Sequence, residues 1–179
     1  MFRRLLISFL IFFCFQGISF ACVGKTIFIG HLDTKEDEII SNILSRLITE
    51  RTGTSVKLKK YSDASTIINA ASSGEIDLFI FDNIKISSFS KIADFDKAKS
   101  DFNTKFNLVF LKPLLEHKNE YIVPIIRKDT LKKFPALPRL IEKLNGLLPA
   151  SIVSNLVKDA EKRGIKDTVR EFLKSKSLI

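Results

Sequence analysis

The 179-residue chain has no tryptophan, two tyrosines, two cysteines and two histidines, and each shortage removes a class of chemistry. His31 and His117 have no second ligand at metal spacing near either of them. A zinc site needs three or four such ligands, so no metal is expected. Cys14 and Cys22 both lie near the start, and loss of the residues up to Ala21 would leave Cys22 alone, without an internal disulfide. The seven glycines form no phosphate-cradling loop, and no nucleophile motif appears. Glu36, Asp37 and Glu38 are acids in a row, but a helix start explains them without catalysis. An enzyme and a cofactor are both unexpected.

Positive charge is in excess. The formal net charge is +9, to which Arg3 and Arg4 contribute. Such a chain suits nucleic acid or an anionic surface only if its charges are clustered. Here lysines alternate with acids, as in Lys158-Asp159-Ala160-Glu161-Lys162-Arg163, and no basic run is interleaved with aromatics. That pattern reads as solvated helix faces, and no nucleic-acid partner is expected.

The first 21 residues have the layout of a secretory signal. Arg3 and Arg4 precede an apolar run from Leu5 to Phe15, then the helix-breaking Gln16-Gly17, then Ser19-Phe20-Ala21 with small residues where a signal peptidase reads. The run falls short of the ~20 residues that span a bilayer as a helix. Residues 1–21 are therefore expected to be a signal peptide and residues 22–179 a periplasmic or extracytoplasmic domain. Free secretion is the first reading, a lipid anchor on Cys22 the second, and a retained N-terminal anchor the third.

Thr26 to Gly30 reads as a buried first strand ending at glycine. Asp33 or Thr34 can cap the following helix, whose apolar stripe runs Ile39, Ile40, Ile43, Leu44, Leu47 and Ile48 up to Gly53. Val56 and Leu58 alternate with lysines as a second strand near an edge. Ser62 to Thr66 offers caps for a short helix stopped by Gly74, and Ile76 to Phe81 is apolar enough for a central strand. The order strand-helix-strand-helix-strand implies a parallel sheet. Residues 83–106 are rich in serine, lysine and aspartate and read as a loop with one short helix. Leu108 to Leu111 and Tyr121 to Ile126 are two further strands, and from Asp129 the chain is helical.

Three stretches carry a resemblance: Lys25-Thr26-Ile27-Phe28-Ile29-Gly30 with Glu36 beyond it; Ser73-Gly74-Glu75-Ile76-Asp77-Leu78; and the run from Pro124 to Leu137, with Arg170-Glu171-Phe172-Leu173 and Leu178-Ile179 at the end. In this order the chain resembles the substrate-binding proteins of glycine betaine/choline-type ABC transporters. The resemblance implies an α/β fold, one lobe of a type II periplasmic-binding-protein-like architecture, with a mainly parallel sheet and helices on both faces. Where that family crosses into a second lobe, this chain reads Phe81-Asp82-Asn83-Ile84. Residues 83–106 then stand as a short bypass in place of that lobe.

The family holds quaternary ammonium groups in an aromatic cage, and with only Tyr61, Tyr121 and the phenylalanines this cage does not transfer residue by residue. What remains is half a site. Strand C-termini and helix N-termini of an open α/β sheet point into one crevice, where free backbone N–H groups favour an anion. Asp33, Thr34, Ser65, Thr66, Phe81 and Asp82 would line it; the plainer reading of all six is capping and core packing. The resemblance implies an extracytoplasmic substrate-binding component, or half component, for glycine betaine- or choline-like osmolytes. Its partners would be a weakly held quaternary-amine or related solute, a membrane permease, and a second copy or separately encoded lobe to complete the cleft. The rival reading is an interaction or sensor-docking lobe that no longer serves transport.

Overall fold

The computed structural model describes residues 25–117 and 120–179; the expected signal segment and Cys22 lie outside these residues. Alternation of side chains across the strands divides the molecule. Ile27 and Ile29 of β1 (Ile27–Leu32) and Leu78 and Ile80 of β3 (Leu78–Asp82) point to one face of the sheet. Phe79 and Phe81 of β3, with Val123 and Ile125 of β6 (Glu120–Arg127), point to the other. Each face needs a helical layer to bury it.

The first face is covered by α1 (Lys35–Thr52), α6 (Leu137–Glu142), α7 (Ala150–Arg163) and α8 (Ile165–Ser175). The stripe from Ile39 to Ile48 is buried against the sheet, with Gly53 closing α1 in the left-handed region at φ 69°. The second face is covered by α2 (Ala64–Ser73), α3 (Asn83–Ser90) and α4 (Phe95–Phe106). A short helix, α5 (Lys128–Lys133), follows β6.

The strands β2 (Val56–Tyr61), β4 (Leu108–Phe110) and β5 (Leu115–His117) complete one sheet in the order β2-β1-β3-β6-β4, with β5 also on β6. β1 pairs in parallel with both β2 and β3. β6 runs antiparallel to β3, β4 and β5. Because β6 alone is reversed, the other five strands share one direction, which is the mainly parallel sheet expected. The described residues build one lobe around this one sheet.

Pro124 sits in the interior strand β6, where a missing N–H would ordinarily break a ladder. Its carbonyl accepts from Leu111 N at 2.9 Å, so its nitrogen faces the same edge, at the interruption between β4 and β5. The absent donor is therefore the one that would have reached Leu111, just past the end of β4, and no donor to β3 is lost.

Two sequence expectations need correction. Gly30 does not end β1, which continues to Leu32; instead a Cβ there would come 2.5 Å from Ile76 Cδ1, so glycine makes room for the chain entering β3. Residues 83–106 are two helices, not a loop with one. Asp82 caps α3 and Asp94 caps α4, and Ile86, Ala98 and Phe102 are buried beneath them.

The run from Gly74 to Asp77 fastens the amino end of the sheet. Gly74 caps α2 at φ 88° with the Arg127 guanidinium against it. Asp77 accepts from Phe28 N (2.9 Å) and Thr130 Oγ1 (2.6 Å), locking β1, β3 and α5 together. Glu75 accepts from Lys59 and from the Tyr61 hydroxyl, whose pKa is pushed up to about 12 by burial and by that carboxylate. This motif therefore sits where the chain enters β3, not where β3 ends at the crevice.

Candidate functional site

The carboxyl ends of β1 and β3 deliver the chain into α1 and α3, and each helix start is closed by its own side chain. Thr34 Oγ1 accepts from Asp37 N at 3.1 Å, Asp63 Oδ1 from Thr66 N at 2.9 Å, and Asp82 Oδ1 from Lys85 N at 2.7 Å. One N–H at each helix start that could have drawn an anion is thus already taken by a side chain. Glu36, Asp37 and Asp82 put negative charge at the same place. The anion preference expected from helix ends gives way to an acidic crevice.

A cavity of about 300 Å³ opens here, between α1, the ends of β3 and β6, and the start of α7. Ile40, Ile80, Ile122 and Val153 form its apolar walls; Asp37, Asp82, Lys85 and Ser154 are among its polar groups. Lys85 Nζ lies 2.8 Å from Asp82 Oδ2 and 3.4 Å from Asp37 Oδ1. Burial works against charge on Lys85, but the bonds and charges of Asp82 and Asp37 outweigh it and hold its pKa above the ordinary lysine value. Burial raises the pKa of Asp37, and Lys85 offsets this only in part. Asp37 Oδ2 is buried without a hydrogen-bond partner.

The six residues expected to line the crevice separate. Asp82 lines the cavity. Asp33 and Thr34 are not among its lining residues: Thr34 caps α1, and Asp33 is ion-paired to Lys60 of β2 at 3.1 Å. Ser65 and Thr66 belong to the first turn of α2 on the opposite face, and the Thr66 hydroxyl is bonded to Asp63. Phe81 is fully buried under the second helical layer, its ring 4.8 Å from that of Phe79, edge to face. Its odd-numbered place in β3 aims it away from the cavity that its neighbours Ile80 and Asp82 line. His31 is likewise a core residue, its Nδ1 2.8 Å from the Leu32 carbonyl, and no metal-holding group of side chains occurs among the described residues.

Sequence reasoning missed Lys85 and the burial of Asp37. Lys85 follows Asp82 by three residues, the spacing of neighbours on a helix, but the segment's serines and lysines give it the composition of a loop.

A second cavity, of about 390 Å³, lies on the aromatic face beside Asn83, Ser87, Phe95 and Tyr121. It has the rings that the first lacks. Phe95 and Tyr121, however, stack 5.0 Å apart at 15°, covering each other's faces, so they do not enclose a cation between them.

Comparison with known proteins agrees with this architecture. Residues 25–120, more than half the chain, match the family model for the substrate-binding domain of ABC-type glycine betaine transport systems. No curated protein matches the sequence. Among solved structures, a glycine betaine/carnitine/choline ABC transporter structure aligns over 87% of this chain and 99% of its own, with 15% identity and a TM-score of 0.72. Apo YehZ from Escherichia coli aligns over 87% and 100%, with 12% identity and a TM-score of 0.74. Lactococcal OpuAC, in a closed conformation with glycine betaine, aligns over 85% and 96%, with 11% identity and a TM-score of 0.56. At such identities the structures speak for the fold, and the family model speaks for descent: this chain belongs to the family of substrate-binding domains of ABC-type glycine betaine transport systems.

Proposed function

We propose that the chain is an extracytoplasmic half-clamp: a substrate-binding lobe whose solute site is the acidic cavity at the carboxyl end of the sheet. The observation that carries this is the meeting of Asp37, Asp82 and Lys85 in one cavity at that end of the sheet. The family is one of solute binding rather than catalysis. Among the described residues no helix is long and apolar enough to cross a membrane, which accords with a signal-directed, exported domain that meets its permease from outside. A lobe of this kind covers a solute from one side only, whereas small-molecule sites typically bury ~70–90% of the ligand surface. The side chain of Ile84, 70% exposed beside this crevice, fits a second surface closing over it, from another copy or a separately encoded lobe.

Titration calorimetry on the purified chain tests the reading. Glycine betaine and choline should bind in the millimolar range, equivalent to about −4 kcal/mol, and Asp82→Asn should weaken choline further. Micromolar binding by a demonstrated monomer would overturn the half-clamp.

A further inference from the structure

The cavity already holds an alkylammonium group, and it is the protein's own. The Lys85 side chain rises from the first turn of α3 and sets its Nζ between Asp82 Oδ2 and Asp37 Oδ1, at 2.8 and 3.4 Å. Three features say what this place recognises. Its charged contacts are carboxylate oxygens, which hold a cation best through N–H donors. No aromatic ring lines the cavity, so the force that holds a cation without N–H groups is missing. Finally, Asp37 Oδ2 is a buried acceptor with no donor, left over by a lysine that reaches only the other oxygen. A buried acceptor of this kind favours a partner that brings an additional N–H.

We propose that Lys85 is a tethered stand-in for the charged group of the substrate, and that the cavity takes a small primary or secondary ammonium compound, which enters by displacing Lys85 from Asp82 and Asp37. This rests on the cavity being the solute site, and it sharpens the substrate class within that reading. Lys85 then sets both affinity and selectivity. An incoming cation competes with one that loses little entropy on binding, because the chain already holds it in place. A quaternary ammonium loses that competition, having no N–H to give the two carboxylates. The side chain of Lys85 is 27% exposed, so it has a route into solvent when displaced.

Ethanolamine and choline make the deciding pair, since they differ only in N-methyl groups where one carries N–H. Both would be titrated by NMR and calorimetry into the purified wild-type chain and into Lys85→Met, which keeps an unbranched side chain as far as the ε position and removes the charged group. Ethanolamine should bind the wild type at least about tenfold more tightly than choline, the scale of one charge-assisted hydrogen bond. Lys85→Met should bind ethanolamine at least about tenfold more tightly again, since the tethered competitor is gone. In the wild type, the Lys85 side-chain resonances should move as ethanolamine binds, a readout that does not depend on the variant folding.

If choline binds as tightly as ethanolamine, or if ethanolamine binds without moving the Lys85 resonances, the displacement is wrong. The solute site itself survives that result, since binding is seen. If neither compound perturbs the cavity in either protein, the inference and the half-clamp fall together.

Discussion

The two faces of the sheet are built from different materials. The first, under α1, α6, α7 and α8, is a nearly continuous aliphatic core, with Ile43, Leu44, Leu47 and Ile48 fully buried. The second, under α2, α3 and α4, is aromatic: Phe102 meets Phe89, Phe106 and Phe110 edge to face at 5.7, 5.7 and 5.2 Å, and Phe79 meets Phe81 at 4.8 Å. The acidic cavity opens on the aliphatic side. The rings therefore serve stability, turned toward one another. The carboxylates and a lysine make the polar end of the crevice. In this lobe, abundance of phenylalanine says nothing about an aromatic cage, because strand alternation assigned the rings to the far face.

The largest way to break this contrast is Phe102→Ala. It removes a fully buried ring together with its three edge contacts, and should cost about 3–5 kcal/mol in denaturant unfolding. Solute binding, measured where the variant is still folded, should be unchanged, because the cavity is on the opposite face. A variant that loses choline or ethanolamine binding while keeping its fold would show that the aromatic layer takes part in the site.

A smaller loss is expected from Asp77→Ala at the amino end. It leaves Phe28 N–H and the buried Thr130 hydroxyl without their acceptor, and an unpaired buried polar group costs about 1–3 kcal/mol. Its binding profile should match the wild type, since the motif around Gly74 fastens strands rather than touching the crevice. Changed affinity at unchanged stability would refute that assignment.

These variants also mark what was legible in the sequence. The apolar run Ile27-Phe28-Ile29 and the stripe from Ile39 to Ile48 are local signals, and local physics decides them. The caps at Thr34 and Asp63 were within the residues expected. The helix α4 was also written in the chain, because Phe95, Ala98, Phe102 and Phe106 recur at three- and four-residue steps after Asp94. Composition hid it: serines, lysines and aspartates between the rings read as loop. β5 was illegible, since three residues beside Pro113 gain strand geometry only by pairing with β6. The cavity was illegible for a similar reason. Asp37 looks like any acid in a first helical turn; it is buried where α1 meets β3, β6 and α7, and the start of α3 at the end of β3 brings Lys85 into reach.

The smallest effect separates the carboxylates at the start of one helix on each face. Asp63, at the start of α2, is held at about 2 by hydrogen bonds from the Thr66 hydroxyl, the Thr66 backbone and Ser62. Its folded pKa lies below the model-peptide value of 3.8, so its contribution is complete above 3.8 and drains away as pH falls toward 2. Asp37, in the first turn of α1, has its pKa raised chiefly by burial. Its contribution is complete below 3.8 and is lost as pH rises through the higher folded value. The two substitutions should therefore tilt the acid limb in opposite senses. Asparagine still caps a helix, so Asp63→Asn should be less stable than the wild type at neutral pH, with the deficit closing as pH falls. Asp37→Asn should gain on the wild type as pH rises, because the neutral amide escapes the cost of burying charge. Thermal melts followed by circular dichroism from acid to neutral pH give both differences. Parallel pH curves for Asp37→Asn and the wild type would mean that Lys85 cancels the burial completely. Asp37 would then carry its charge in the crevice as readily as in water, at no cost to the fold.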